Sequence, residues 1–89
     1  MPNYLDYTGE GVRLTEERIE HILTSHPEMK PYMDAVPEVL ADPHRITSDP
    51  DPSVQRYYRL YGTKYVCVVV KKTPGDAFVV TAHPSRRIR

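Results

Sequence analysis

The chain has 89 residues, with twelve basic and twelve acidic groups and a single cysteine. A length of this order supports one domain, residues 1–89, around one modest core. One cysteine excludes an intrachain disulfide framework, no apolar run approaches the ~20 residues of a bilayer span, and Met1 opens no signal-peptide pattern, so the expected setting is the cytoplasm, with no membrane partner.

Residues 1–13 carry little pattern. Gly9 and Gly11 mark a turn, and Val12–Leu14 reads as a short strand or as the lead-in to a helix. The helix start is better marked. Thr15 suits an N-cap, Glu16 and Glu17 fall in the first turn where amide dipoles favour anions, and Leu14 can staple to Ile19 across the cap. Ile19, Ile22 and Leu23, with His26 a turn later, form one stripe at helical spacing, and Pro27 ends the helix near His26. A second helical stretch, about Glu28 to Ala41, sets Met29, Met33, Val36 and Leu40 on one buried face with Tyr32 and Val39 beside them. Pro31 is tolerable in its first turn. Pro37 lacks an N–H and crowds the Met33 carbonyl, so a kink or two short helices is expected.

Asp42-Pro43 closes the helical half. Arg45–Ser48 reads as a short edge strand, and Asp49-Pro50-Asp51-Pro52-Ser53 as a loop whose acids solvate a turn or flank a binding face. The remainder reads as a three-stranded meander: Tyr57–Tyr61, Lys64–Lys71 and Ala77–His83, broken at Gly62-Thr63 and at Pro74-Gly75-Asp76. Alternation places Tyr58 and Leu60 opposite Tyr57, Arg59 and Tyr61. It places Phe78, Val80 and Ala82 opposite Val79, Thr81 and His83. Both faces of the middle strand are apolar, so it is central. No helix lies where a parallel crossover needs one. The expected fold is α+β, with N-terminal helices packed on one face of a three- to four-stranded antiparallel sheet; which face is left open by the pattern.

Charge divides the chain. From Arg56 onward there are eight basic groups against one acid, Asp76, whereas residues 1–55 hold four basic groups and eleven acids. A basic, tyrosine-studded meander suits a polyanion. Metal chemistry is poorly served: His21 and His26 are five residues apart and diverge around a helix, and Cys67 sits mid-strand as a small hydrophobe. No nucleophile elbow or phosphate-binding glycine loop is present. What remains is imidazole, guanidinium and hydroxyl chemistry, which fits phosphodiester transfer on RNA without a cofactor. There the substrate's 2′-hydroxyl is the nucleophile, and the protein supplies a base, an acid and cations. His21 and His26 are candidate acid–base groups, with His83 a further candidate at the end of the last strand and His44 a structural or exposed residue. Arg59, or Arg56 if the register differs, is the candidate phosphate clamp. Thr81 is a candidate for orienting the phosphate. Tyr57, Tyr58 and Tyr61 are candidates for base stacking, and Lys71 and His83 for further substrate contact.

The blocks H-I-L-T-S-H-P-E-M, D-P-H-R-I, Y-Y-R, Y-V-C-V-V-V-K and F-V-V-T-A-H, spread over about residues 12–85, resemble the small phage- and toxin-associated nuclease-like domains related to barnase, EndoU, the tRNA-cleaving colicins and RelE-type toxins. The resemblance implies helices followed by an antiparallel sheet and metal-independent RNA cleavage. Such domains often stand in a toxin or phage setting, where an antitoxin or immunity protein is a partner. Carried onto this chain, it points to His21, His26, Tyr58, Arg59 and Thr81; the block's usual aromatic after T-A is replaced by His83. The alternative is a non-catalytic nucleic-acid-binding or regulatory domain on the same fold, and a third is a protein-interaction or phage structural accessory.

Overall fold

Thr15 opens the first helix as its cap. Its hydroxyl accepts a hydrogen bond from the Arg18 amide at 3.1 Å, and Glu16 and Glu17 occupy the first turn of α1 (Glu16–Ser25). The helix ends at His26, whose amide closes on the Ile22 carbonyl at 2.7 Å before Pro27 stops propagation. The computed structural model describes residues 3–88; Met1, and Arg89 of the basic tail, lie outside the described residues.

The second helical stretch is divided in two. A 3-10 helix spans Pro27–Ala35, and α2 spans Val36–Ala41 with Pro37 in its first turn. The break falls where Pro37 would otherwise have crowded the carbonyl of a preceding α-turn; beginning a new helix there removes the conflict. Met29, Val36, Val39 and Leu40 are buried on the inward side, with Tyr32 and Met33 partly so.

Six strands form one sheet in the order β1-β2-β6-β5-β4-β3. They are β1 (Asn3–Leu5), β2 (Gly11–Arg13), β3 (Arg45–Ser48), β4 (Val54–Tyr61), β5 (Lys64–Thr73) and β6 (Asp76–Ser85). All neighbours are antiparallel except β2 and β6, which meet in parallel at Arg13 and Phe78. The expectation of a three- to four-stranded antiparallel sheet is therefore corrected to a six-stranded mixed one. The added strands are three-residue pieces, too short for alternation to register; β2 takes the short-strand reading of residues 12–14, shifted by one, with only Val12 pointing inward, and β1 is unexpected. Positive-φ glycines at Gly62 (65°) and Gly75 (79°) close the two hairpins where the turns were expected.

The helices cover one face. Tyr57 on β4, Val66, Val68 and Val70 on β5, and Ala77, Val79 and Ala82 on β6 pack there against Ile22, Met29, Val36, Val39 and Leu40. Each fully buried aliphatic side chain of this layer contributes about 1.5–3 kcal/mol relative to exposure. The other face holds a smaller cluster of Tyr58, Cys67 and Val69, fringed by Val54, Tyr65, Val80 and Ile88. It has no helix over it.

A bulge in β6 overturns the simple alternation. Val79 pairs with Val70 and Thr81 with Val69, so Val80 is an extra residue and the side-chain phase slips by one. Val79 and Ala82 therefore share the helix side, while Thr81 and His83 lie opposite Val69 and Cys67 on the open side.

Candidate functional site

Cross-strand register turns the open face into rows. Arg45, Tyr58, Cys67 and His83 are successive partners across β3, β4, β5 and β6; Thr47, Arg56, Val69 and Thr81 form the row beside them. At the end of the first row an open cleft of about 580 Å³ is lined by Arg56, Tyr58, His83, Pro84, Ser85 and Arg86. A smaller depression lined by Glu28, Lys64, Pro84, Ser85 and Arg86 continues it, the two sharing the end of β6. There the Ser85 hydroxyl donates to the Arg87 carbonyl at 2.6 Å in the bend that follows β6, and Ile88 beyond it packs on the open-face cluster.

His26 does not line this cleft but packs against His83 from the helical side, beside it. Because β2 meets β6 only at Phe78, the later part of β6 has a free edge, and the residue capping α1 packs over it. The His26 and His83 ring centroids are 5.3 Å apart, tilted by 39°. His26 Nδ1 lies 4.0 Å from the Glu28 carboxylate, a partner for the protonated ring. His83 Nδ1 lies 3.2 Å from the Pro84 carbonyl. A carbonyl only accepts, so the contact is a hydrogen bond in the Nδ1–H tautomer, the one in which Nε2 carries the free lone pair.

Arg56 is held by Asp49, Nη2 to Oδ2 at 2.5 Å, so the acidic loop does flank the cleft. Asp49 also accepts from the Asp51 amide at 3.1 Å; that bond, and then Arg56, hold its carboxyl below the usual range. Tyr58 is 1% exposed, edge-on to Tyr65 with centroids 6.3 Å apart. Beside them Cys67 is fully buried, which pushes its thiol up to about 11. It is a packing residue.

The other candidates lie elsewhere. His21 is exposed on α1 and lines a shallow depression with Glu17, Glu20 and Thr24, none of which belongs to the sheet. Arg59 faces the helical layer: its guanidinium meets Glu38 at 3.3 Å, the Asp42 carboxylate at 3.0 Å and the Asp42 carbonyl at 2.7 Å. Tyr61, next on that face, donates a short hydrogen bond to Glu38; burial and that carboxylate push its hydroxyl up to about 12. His44 accepts from the Leu60 amide through Nδ1 at 3.1 Å.

Tyr57 is completely buried, with no surface for a base. Its hydroxyl donates to Asp6 at 3.0 Å, and burial raises it to about 12. Asp6, 4% exposed, also accepts from Thr8 and from Lys72 Nζ at 2.9 Å, while Lys72 adds Glu10 at 3.1 Å. Burial alone would raise the Asp6 pKa; the hydrogen bonds outweigh it and hold the carboxyl far below its usual range. This network ties the turn between β1 and β2 to the sheet.

The structure thus groups His26, His83, Arg56, Tyr58 and Thr81 on or beside one open surface, and keeps His21, Arg59, Tyr57 and Tyr61 apart from it. Lys71 lies on the same open face, farther along β5. Ser85, Arg86 and Arg45 join the surface without having been singled out. Arg86 was visible only as one charge of a basic tail, and Arg45 only as an edge-strand residue. Among the described residues no group of three or more His, Cys, Asp or Glu side chains is placed to hold a metal ion, and no helix is long and apolar enough to cross a membrane.

No curated protein and no solved structure matches the chain significantly. A family model does, over residues 2–88: phage-Barnase-EndoU-ColicinE5/D-RelE like nuclease2. With a helical layer on one sheet face, a basic cleft on the other, and a match across nearly its whole length, the chain belongs to this family of nuclease-like domains.

Proposed function

We propose that residues 1–89 act as one metal-independent endoribonuclease domain, toxin-like in character, working on RNA in the cytoplasm. The observation that carries this reading is the His26–His83 ring contact beside a cleft that His83 lines together with Arg56, Tyr58 and Arg86. Transfer to a 2′,3′-cyclic phosphate needs one neutral imidazole to take the 2′-hydroxyl proton and one protonated imidazole to supply the 5′-oxygen leaving group. His83 is the base, through the Nε2 left free by the Pro84 contact, and His26, beside Glu28, is the acid. Arg56 and Arg86 take the charge that grows on the equatorial phosphate oxygens. Thr81, one row away, orients the phosphate, and Tyr58 forms the floor. An inhibitory partner of the antitoxin or immunity kind would meet the same cations.

The test is incubation of purified protein with mixed RNA in EDTA, followed by analysis of product ends. Cyclic or 3′-phosphate ends with 5′-hydroxyl partners are expected. His83→Ala or His26→Ala should slow their appearance by roughly 10²–10⁴-fold, and His21→Ala should not. Intact RNA across pH 5 to 9, or loss with His21→Ala but not His83→Ala, would overturn the assignment. A non-catalytic RNA-binding module is the second reading, favoured by Asp49, which already occupies the Arg56 guanidinium.

A further inference from the structure

The open face extends past the cleft. Four residues back along β4 from Tyr58, a third row runs Arg13, Phe78, Lys71 and Val54 across β2, β6, β5 and β4. At ~3.3 Å per residue this row lies roughly 13 Å from the row of Tyr58 and His83. Phe78 is the chain's single phenylalanine. Its neighbours Ala77 and Val79 are buried at 2% exposure on the helix side, so Phe78 stands on the side without helices, largely covered but with part of its surface open. Lys71, directly across from it, makes no ion pair with any described residue, although its charge reaches Asp51 across the loop. Arg13 sets its guanidinium 5.9 Å from the Phe78 ring centroid and is held there by two bonds to Asp76, at 3.1 and 2.7 Å.

We propose that Phe78, walled by Arg13 and faced by Lys71, is a subsite for a nucleotide of single-stranded RNA flanking the one held in the cleft. The base stacks on the accessible part of the ring, and Lys71 neutralises the adjoining phosphate. The identity of the ligand rests on the ribonuclease reading above; the subsite itself rests on the row geometry and on charge complementarity. A sheet face with a partly exposed aromatic ring suits unstacked bases, whereas the bases of a duplex are hidden in their own stack. The separation from the cleft exceeds a single contact, so the site discriminates by length: a dinucleotide in the cleft leaves Phe78 empty, and a longer strand reaches it.

The experiment measures binding by fluorescence anisotropy, using 2′-O-methyl oligonucleotides of two and six residues, whose blocked 2′-oxygen prevents cleavage. Wild-type protein is expected to bind the hexamer more tightly than the dimer. Phe78→Leu should weaken hexamer binding roughly tenfold and leave the dimer unchanged, with Phe78→Trp restoring affinity. Lys71→Ala should lower the slope of log affinity against log salt by about 0.7 for the hexamer only. Thermal melts of each variant check that the fold is intact. Equal hexamer binding by Phe78→Leu and wild type overturns the subsite even if RNA is cleaved. Duplex RNA bound as tightly as the single strand also overturns it. Failure to cleave unmodified RNA, with the Phe78 dependence still present, overturns the nuclease reading and supports the subsite.

Discussion

Asp6 shows how much a single side chain can carry in a small fold. It is buried, yet it accepts from Thr8, Tyr57 and Lys72, and its Lys72 partner also meets Glu10. Removing one member of a buried ion pair leaves the other charge uncompensated. Asp6→Asn is therefore expected to cost about 3 kcal/mol in urea unfolding at pH 7. The pH dependence follows from the direction of the shift. Folding depresses the Asp6 pKa, so its stabilisation is complete above the unfolded-state value near ~4 and is lost as pH falls below it. Wild-type stability should drop between about pH 4 and pH 2, and Asp6→Asn should flatten that limb. Arg59 makes a contrasting case. With Glu38 and Asp42 as partners it anchors α2 to β4, so Arg59→Ala should lower the melting temperature while leaving the RNA affinity of the folded protein near wild type. Arg56→Ala should do the reverse. Anisotropy titrations on melt-checked variants separate the two, and matched affinity losses would return Arg59 to the binding surface.

Among the elements, α1 is the one whose local chemistry speaks most directly. The Thr15 cap, the acidic first turn and the Pro27 stop are all local effects within one turn of the chain, and all are realised. Thr15→Ala should cost about 1 kcal/mol, shifting the melting temperature by about 4–8 °C. An unchanged midpoint would mean that tertiary packing, not the cap, holds the helix start. The two hairpins were equally legible because positive-φ glycines punctuate them. The β6 bulge was not. Regular alternation groups Thr81 and His83 with Val79, which is buried beneath the helices; inserting Val80 as an extra residue carries both to the open face instead. The extra residue is recognisable only from the partner strand's count. The same limit hid β1 and left β2 as one of two readings of residues 12–14; the parallel pairing of Arg13 with Phe78 joins segments more than sixty residues apart.

For the molecule as a whole, the unequal charge of its two halves becomes a difference between layers. Glu17, Glu20, Glu28 and Glu38 belong to the helical layer, whereas Arg45, Arg56 and Lys71 project from the strands on the open face. RNA affinity should consequently fall steeply with ionic strength, and one cooperative unfolding transition is expected by both far- and near-ultraviolet circular dichroism. Separated transitions would divide the chain into more than one unit. Composition, capping residues, turn glycines and the basic meander determine by themselves that helices precede the β4–β6 meander and that this meander is cationic. They do so because each acts over a few neighbouring residues. Which cations stay available, and which histidine meets which, is decided by the tertiary structure. Arg56 and Arg59 are three residues apart and alike in composition, but opposite phases of one strand send Arg59 into the carboxylates of α2 and Arg56 to the cleft. Only the folded sheet edge brings His26 against His83.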